Sequence, residues 1–300
     1  MPTPVEIILV PTLMIVLGYV LKRQNILKSR DSNVLSRIVL TVSLPSLVFV
    51  NLSTANISTD MLLLPFAAFS LSAICMVISF LFCKSRGYSK VKTWTIMIAC
   101  AMMNTGFLGF PISLGVFGNE GFLNAIFFDL ETTLIFVIFG MVLVSIFGGN
   151  RKEVLKQAVG FVPLWAVIIA LLFNIFHLQY GYVIETTLNY LGQSTIPLIM
   201  ISLGLTLDFK EIKHSFTDSL FVAFVKLILA PIIIFLILNA INFGGLSFKV
   251  AILEAGMATA MNALVLAITY DLDTKLMSSI IFTNTVLSLI TLTGIITLLV

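Results

Sequence analysis

Of the 300 residues, 59% are hydrophobic and only 10% charged. Soluble domains carry roughly 25% charged residues, so an ordinary soluble fold is excluded. The net charge of +3 is small and dispersed, which gives nucleic acid no basic patch to bind.

The chain opens with "MPTPVEIILVPTLMIVLGYVLK", which lacks a basic n-region and a small-residue cleavage site and reads as a retained first span. A bilayer core takes about 20 predominantly apolar residues per helix. Ten such runs can be read, near 5–22, 33–52, 61–83, 92–117, 121–148, 154–176, 184–207, 218–241, 248–270 and 275–299. Cys75, Cys83 and Cys100 lie in or beside these runs, which argues for burial and against a disulfide framework or metal cluster. The odd-numbered connections carry Lys22, Arg23, Lys28 and Arg30; Lys84, Arg86, Lys90 and Lys92; Arg151, Lys152 and Lys156; Lys210 and Lys213; and Lys275. The even ones carry only Lys249. Cytoplasmic loops hold the positive excess, so the pattern predicts a multi-pass cell-membrane protein with both termini extracellular.

The halves 1–150 and 151–300 echo each other. Pro45 in "TVSLPSLVF" has a counterpart five runs later in Pro197 of "GQSTIPLIM", and Pro65 has one in Pro231. Five spans is an odd number, so a second copy enters the membrane inverted. Inverted repeats are a transporter signature, and matching interrupted helices point to the substrate site. Chance recurrence of proline is the alternative; agreement with the charge pattern favours the repeat.

The fourth run contains "MMNTGFLGFPISL", with Asn104, Thr105, Gly106, Gly109 and Pro111 inside eight positions. Gly weakens a helix and Pro removes a donor, so a break between Asn104 and Gly109 is expected, with Pro111 in the first turn of a second half-helix. Unpaired backbone at membrane depth is tolerated only where it lines a cavity, and a half-helix N-terminus there attracts an anion. The ninth run holds "EAGMATAMNALVLA", whose small residues permit close helix crossing and whose Asn262 supplies a second midplane amide. Tight packing with Asn as interhelical glue is the competing reading.

At these residues the chain resembles the auxin efflux carrier family. "NTGFLGFP" is similar to that family's N-T-G-F-x-G-x-P crossover element, "STIPLIMISLGLTL" to its seventh-helix T-I-P motif and "LPSLVFVNLS" to its second-helix motif. "ATAMNALVLAITYDLDTKLMSSIIFTNTVLSLIT" is similar to its C-terminal crossover, loop and last helix. The resemblance implies an all-α membrane protein of ten transmembrane helices in two inverted five-helix repeats. It further implies broken, crossing helices 4 and 9, interleaved scaffold and transport parts, and elevator-type alternating access for an organic anion, as in bile-acid/sodium symporters. Family members include bacterial carriers of malate or malonate. One departure stands out: the family places Met-Pro ahead of the ninth-helix Asn, whereas here Met257 is followed by Ala258.

Ionisable groups within a membrane are costly and functional by default. Asp129 and Glu131 in the fifth run, Lys226 in the eighth and Glu254 in the ninth qualify. On straight helices, Asp129 lies about 12 Å deep, Glu131 about 15 Å, Glu254 about 8 Å and Lys226 about 20 Å from the outside. Lys226 and Glu254 are therefore mismatched, and a fifth-run carboxylate is the better partner for Lys226. Asp129 shares its helix face with Thr132, Thr133 and Gly140, Glu131 with Phe127, Phe128, Leu134 and Ile135. Asp129 is thus read as facing a polar interior, either as a proton or cation coupling group or as a structural contact. Lys226 reads equally as a substrate contact or as snorkelling to the cytoplasmic surface.

The resulting expectation is a secondary transporter of a small organic anion, with Asn104, Thr105, Gly106, Gly109, Pro111 and Asn262 at the site, proton or sodium as coupling ion, and no cofactor. A related sodium-coupled organic anion symporter is the nearest rival. A passive channel would line a continuous polar pore, and an enzyme would need a nucleophile and base or a metal cluster. Gly- and Ala-rich faces suit a homodimer contact and equally suit crossings within one chain.

Overall fold

The computed structural model describes residues 3–207 and 216–300. The connection holding Lys210, Lys213 and His214 lies outside the described residues. The helices run in the order α1 (Pro4–Arg23), α2 (Asp31–Ile38), α3 (Leu44–Ser53), α4 (Thr59–Ser85), α5 (Lys90–Ala101), α6 (Phe110–Phe147), α7 (Arg151–Val159) and α8 (Val162–Ile175). They continue as α9 (Tyr182–Gln193), α10 (Thr195–Thr206), α11 (Phe216–Phe224), α12 (Ala230–Ala240), α13 (Gly245–Ala255), α14 (Asn262–Thr269) and α15 (Thr274–Leu299).

Among the described residues three π-helical turns, Val39–Ser43, Thr105–Gly109 and Val225–Leu229, sit directly ahead of α3, α6 and α12. Each of those helices has proline as its second residue, Pro45, Pro111 and Pro231. A proline ring cannot donate and collides with the carbonyl four residues back; the wider π turn moves that carbonyl aside. The sequence thus sets the three helical defects, and π turns of this kind are frequent at functional sites.

The expectation of ten membrane-spanning helices in two inverted sets of five, on an elevator-type plan, is corrected by the structure. Among the described residues six helical segments are long and apolar enough to cross a membrane: Pro4–Arg23, Asp31–Ser53, Thr59–Ser85, Thr105–Phe147, Phe216–Ala240 and Thr274–Leu299. Counting Arg151–Val159 with Val162–Ile175 as one bent span makes seven. The reason is interruption. The ninth run is cut into α13 and α14, of 11 and 8 residues, and the seventh into α9 and α10, of 12 each; about 20 are needed to cross. The fourth run is cut after Ala101, and its remainder joins the fifth in the single segment Thr105–Phe147, kinked at Gly118, whose φ is +66°. Five matching helices per half do not emerge from these pieces.

Two compact units form. One comprises the described residues up to Ser58 with Gln157–Leu207. Within it α1 packs on α10 through Gly18 and Gly204, where an added Cβ would strike the Ile201 and Ile15 carbonyls of the opposite helix. Small residues let backbones approach closely where lipid offers no hydrophobic drive for association. Lys22 Nζ donates to the Leu207 carbonyl at 2.7 Å, a cation at the end of α10 that favours a helix C-terminus. Asn174 Nδ2 similarly serves the Leu52 and Ala55 carbonyls at 3.0 and 2.8 Å.

The second unit comprises Thr59–Lys156 and the described part of Asp208–Val300. Its core is α4, α5, α6, α13 and α15, with Leu64, Leu71, Ile96, Ile98, Phe122, Phe128, Leu253 and Ile280 buried. Every residue singled out as a site candidate lies in this unit.

Candidate functional site

α5 stops at Ala101, whose carbonyl accepts the Ser72 hydroxyl at 2.8 Å. Met102 is extended (φ −87°, ψ 120°), and the chain resumes as a π turn only at Thr105. α13 stops at Ala255, and α14 starts at Asn262. The two non-helical stretches lie antiparallel and pair their backbones. Asn104 N–H donates to the Ala258 carbonyl at 2.9 Å, and Ala260 N–H to the Met102 carbonyl at 3.1 Å. Met103 and Thr259 face each other in this isolated bridge. The ninth run therefore breaks without a proline. Main-chain groups freed from the helix must find partners in lipid, and each stretch supplies the other's.

Side chains reinforce the crossing. Thr259 Oγ1 donates to the Ala99 carbonyl at 3.0 Å and accepts from Asn284 Nδ2 at 2.9 Å. Thr105 is buried and donates to Asp129, with Thr132 Oγ1 at 3.3 Å from the same hydroxyl. Gly106 lies beside the half-buried Asp129 carboxylate, where an added Cβ would come to 3.9 Å from both oxygens, an ordinary contact.

Glu254, fully buried, lies in the last turn of α13, directly before the break. Its Oε1 accepts the Ser113 hydroxyl at 2.6 Å. The carboxylate packs so tightly on Gly109 that any Cβ there would overlap it. Gly109 and Ser113 flank the start of α6, so the helix end expected to attract an external anion already has a carboxylate of the protein beside it. Glu254 and Asp129 are within electrostatic reach of each other.

Asn104 is 3% exposed, and among the described residues its Nδ2 has no hydrogen-bond partner; neither does Glu254 Oε2 or Asn284 Oδ1. A buried amide without a partner costs roughly 1–3 kcal/mol and is a donor held ready. Asn262 opens α14 half-buried, and Pro111 is buried at the second position of α6.

Glu131 and Lys226 form a separate locus. Glu131 is 1% exposed and Lys226 0%, and among the described residues neither carboxylate oxygen nor Nζ has a hydrogen-bond partner. Ser72, which could serve Glu131, gives its proton to Ala101 instead. Glu131, Lys226 and Cys75 are within electrostatic reach of one another. Lys226 stands in the π turn ahead of Pro231.

Thr259, Ser113 and Asn284 escaped the sequence reading. Asn284, an amide midway along the last apolar run, was the available signal.

The comparisons identify a family of membrane transporters. The membrane transport protein family matches residues 5–159 and 150–296. An uncharacterized transporter of Methanothermobacter thermautotrophicus is 42% identical over 289 residues, 96% of this chain and 95% of that one. An uncharacterized transporter of Methanocaldococcus jannaschii is 34% identical over 296 residues, 96% of each chain. A Rhizobium meliloti protein provisionally named as a malonate transporter is 28% identical over 115 residues, 37% of this chain and 35% of that one. With the family matched along nearly its whole length, the chain belongs to the membrane transport proteins of the auxin efflux carrier family, transporters rather than enzymes.

Proposed function

We propose that this transporter moves a small organic anion, a carboxylate of the malate or malonate class, across the cell membrane by secondary active, alternating-access transport. One observation carries the reading: the unpartnered Asn104 amide, buried at a backbone crossing between two interrupted helices. It offers a donor to a carboxylate, with Thr105, Gly106, Gly109, Pro111 and Asn262 around it. The provisional malonate transporter among the relatives supports the substrate class.

The same geometry argues for coupling. A substrate carboxylate entering beside Asp129 and Glu254 meets like charge, which disfavours ionisation of all three together. A proton or sodium ion entering with it removes that obstacle, and Asp129, in contact with Thr105, is the leading coupling group. Glu131 and Lys226 are the secondary candidates. Basic residues Lys22, Arg23, Lys28 and Arg30 follow the first span and Lys275 opens the last, which supports both termini being extracellular.

The test is uptake of labelled malate and malonate into proteoliposomes under separately imposed proton and sodium gradients. Wild type should show gradient-driven uptake of one of them, Asn104→Ala should reduce it at least tenfold, and Asp129→Asn should abolish its pH dependence. Full uptake by Asn104→Ala would remove the site from the crossing, and an unchanged pH profile in Asp129→Asn would remove its coupling role.

A further inference from the structure

Away from the crossing, α12, α13 and α15 enclose a groove of about 620 Å³, within the 300–1,000 Å³ range of small-molecule sites. Its wall is apolar: Leu227, Ile232, Phe235, Phe248 and Leu298 contribute, and Lys249 supplies the one basic side chain among the lining residues. Lys249 makes no hydrogen bond or ion pair among the described residues. The carboxylate on the same helix, Glu254, turns away to Ser113. Lys249 is also the residue that breaks the charge alternation along the chain.

The proportions of the groove are informative. α12 ends at Ala240 and α13 begins at Gly245, so Lys249 stands about 6 Å into its helix, near the headgroup level. Leu227 lies about 20 Å along the helix from Ala240, deep in the hydrocarbon. Ile232, Phe235 and Leu298 are exposed on this face. An unpaired cation at the shallow end of a long apolar groove complements an acyl chain carrying an anionic head, and in a bilayer the abundant molecule of that kind is an anionic phospholipid.

We infer that this groove is a binding site for one anionic phospholipid, its chain lying along Ile232 and Phe235 and its phosphate held by Lys249. Burial of the chain is the same for any phospholipid, so the lysine confers the preference for an anionic headgroup. One lysine near an interface favours an anionic lipid about fivefold.

The experiment uses the full chain, purified and delipidated in uncharged detergent, then offered equal amounts of phosphatidylglycerol and phosphatidylcholine with identical chains. Native mass spectrometry counts the lipids retained. Wild type should hold one phosphatidylglycerol with about fivefold preference, Lys249→Arg should keep the preference, and Lys249→Gln should bring it to parity. Ile232→Trp, which fills the groove, should lower retention of both lipids. Equal retention by wild type, an unchanged preference in Lys249→Gln, or stronger retention of free fatty acid than of phosphatidylglycerol would each overturn the assignment.

Discussion

Where α1 meets α10, two glycines let apolar helices touch, and the polar groups buried in that unit are hydroxyls, among them Ser32, Ser43, Ser46 and Ser202. In the other unit glycine also marks the closest approach, but at Gly109 the partner is a carboxylate, and Glu131, Lys226 and Glu254 are buried outright. A buried hydroxyl can be satisfied locally, as when Ser46 donates to the Val42 carbonyl one turn back at 2.8 Å, and left alone among the described residues, like Thr195, it carries no charge. A buried charge has no such local remedy and persists in a membrane protein where it serves a function. The same small residue thus serves packing in one unit and chemistry in the other.

Substituting the two kinds of glycine separates these roles. Gly109→Ala drives a methyl group into the Glu254 carboxylate, and displacement of a site group by about 1 Å can cost a hundredfold, so uptake should fall by about that factor. Adding Glu254→Asp, one methylene shorter, should recover part of it. Gly204→Ala should instead lower the yield of folded protein and its thermal midpoint while leaving uptake per folded molecule intact. A transport defect from Gly204→Ala with no loss of stability would erase the distinction.

A second measurement sharpens the charge difference. Lys226→Met removes the cation within electrostatic reach of Glu131, with which it makes no ion pair among the described residues, and should destabilise the protein by about 1–3 kcal/mol. In the double variant Lys226→Met/Glu131→Leu most of that loss should return, read as thermal midpoints. Additive losses would show that the two side chains do not act as a pair.

The smallest effect belongs to the edge of this unit. Lys92 Nζ meets Asp218 at 2.8 Å, and Tyr88 donates its hydroxyl to the same carboxylate at 2.7 Å. Lys92 is partly exposed, so Lys92→Ala should cost about 1 kcal/mol or less. That hydrogen bond to Asp218 raises the Tyr88 phenol above its ordinary value. Its contribution should therefore be present at neutral pH and be lost as pH climbs through the raised value, seen as a stability difference between wild type and Tyr88→Phe that closes in alkali.

The break at Asn104 was legible because Gly106, Gly109 and Pro111 weaken the helix locally. The break at Ala258 was expected from the family resemblance alone: its stretch is held open by hydrogen bonds to residues more than 150 positions away, which no local propensity registers. The span count failed for the same reason, since hydropathy sees an apolar run and not its interruption. Depth along straight helices could not show Glu254 reaching Gly109. Helical periodicity placed Asp129 with Thr132, both near the Thr105 hydroxyl. Glu131, on the face shared with Phe127 and Phe128, became the more deeply buried of the two.

The bridge between Met102–Asn104 and Ala258–Ala260 is written in peptide groups, which every amino acid shares. Residue 258 lends it only a carbonyl, so a proline there would leave both hydrogen bonds standing. The main-chain pairing at these positions therefore tolerates a change of side chain, while its surroundings, Gly109 against Glu254 and Thr259 between Ala99 and Asn284, do not.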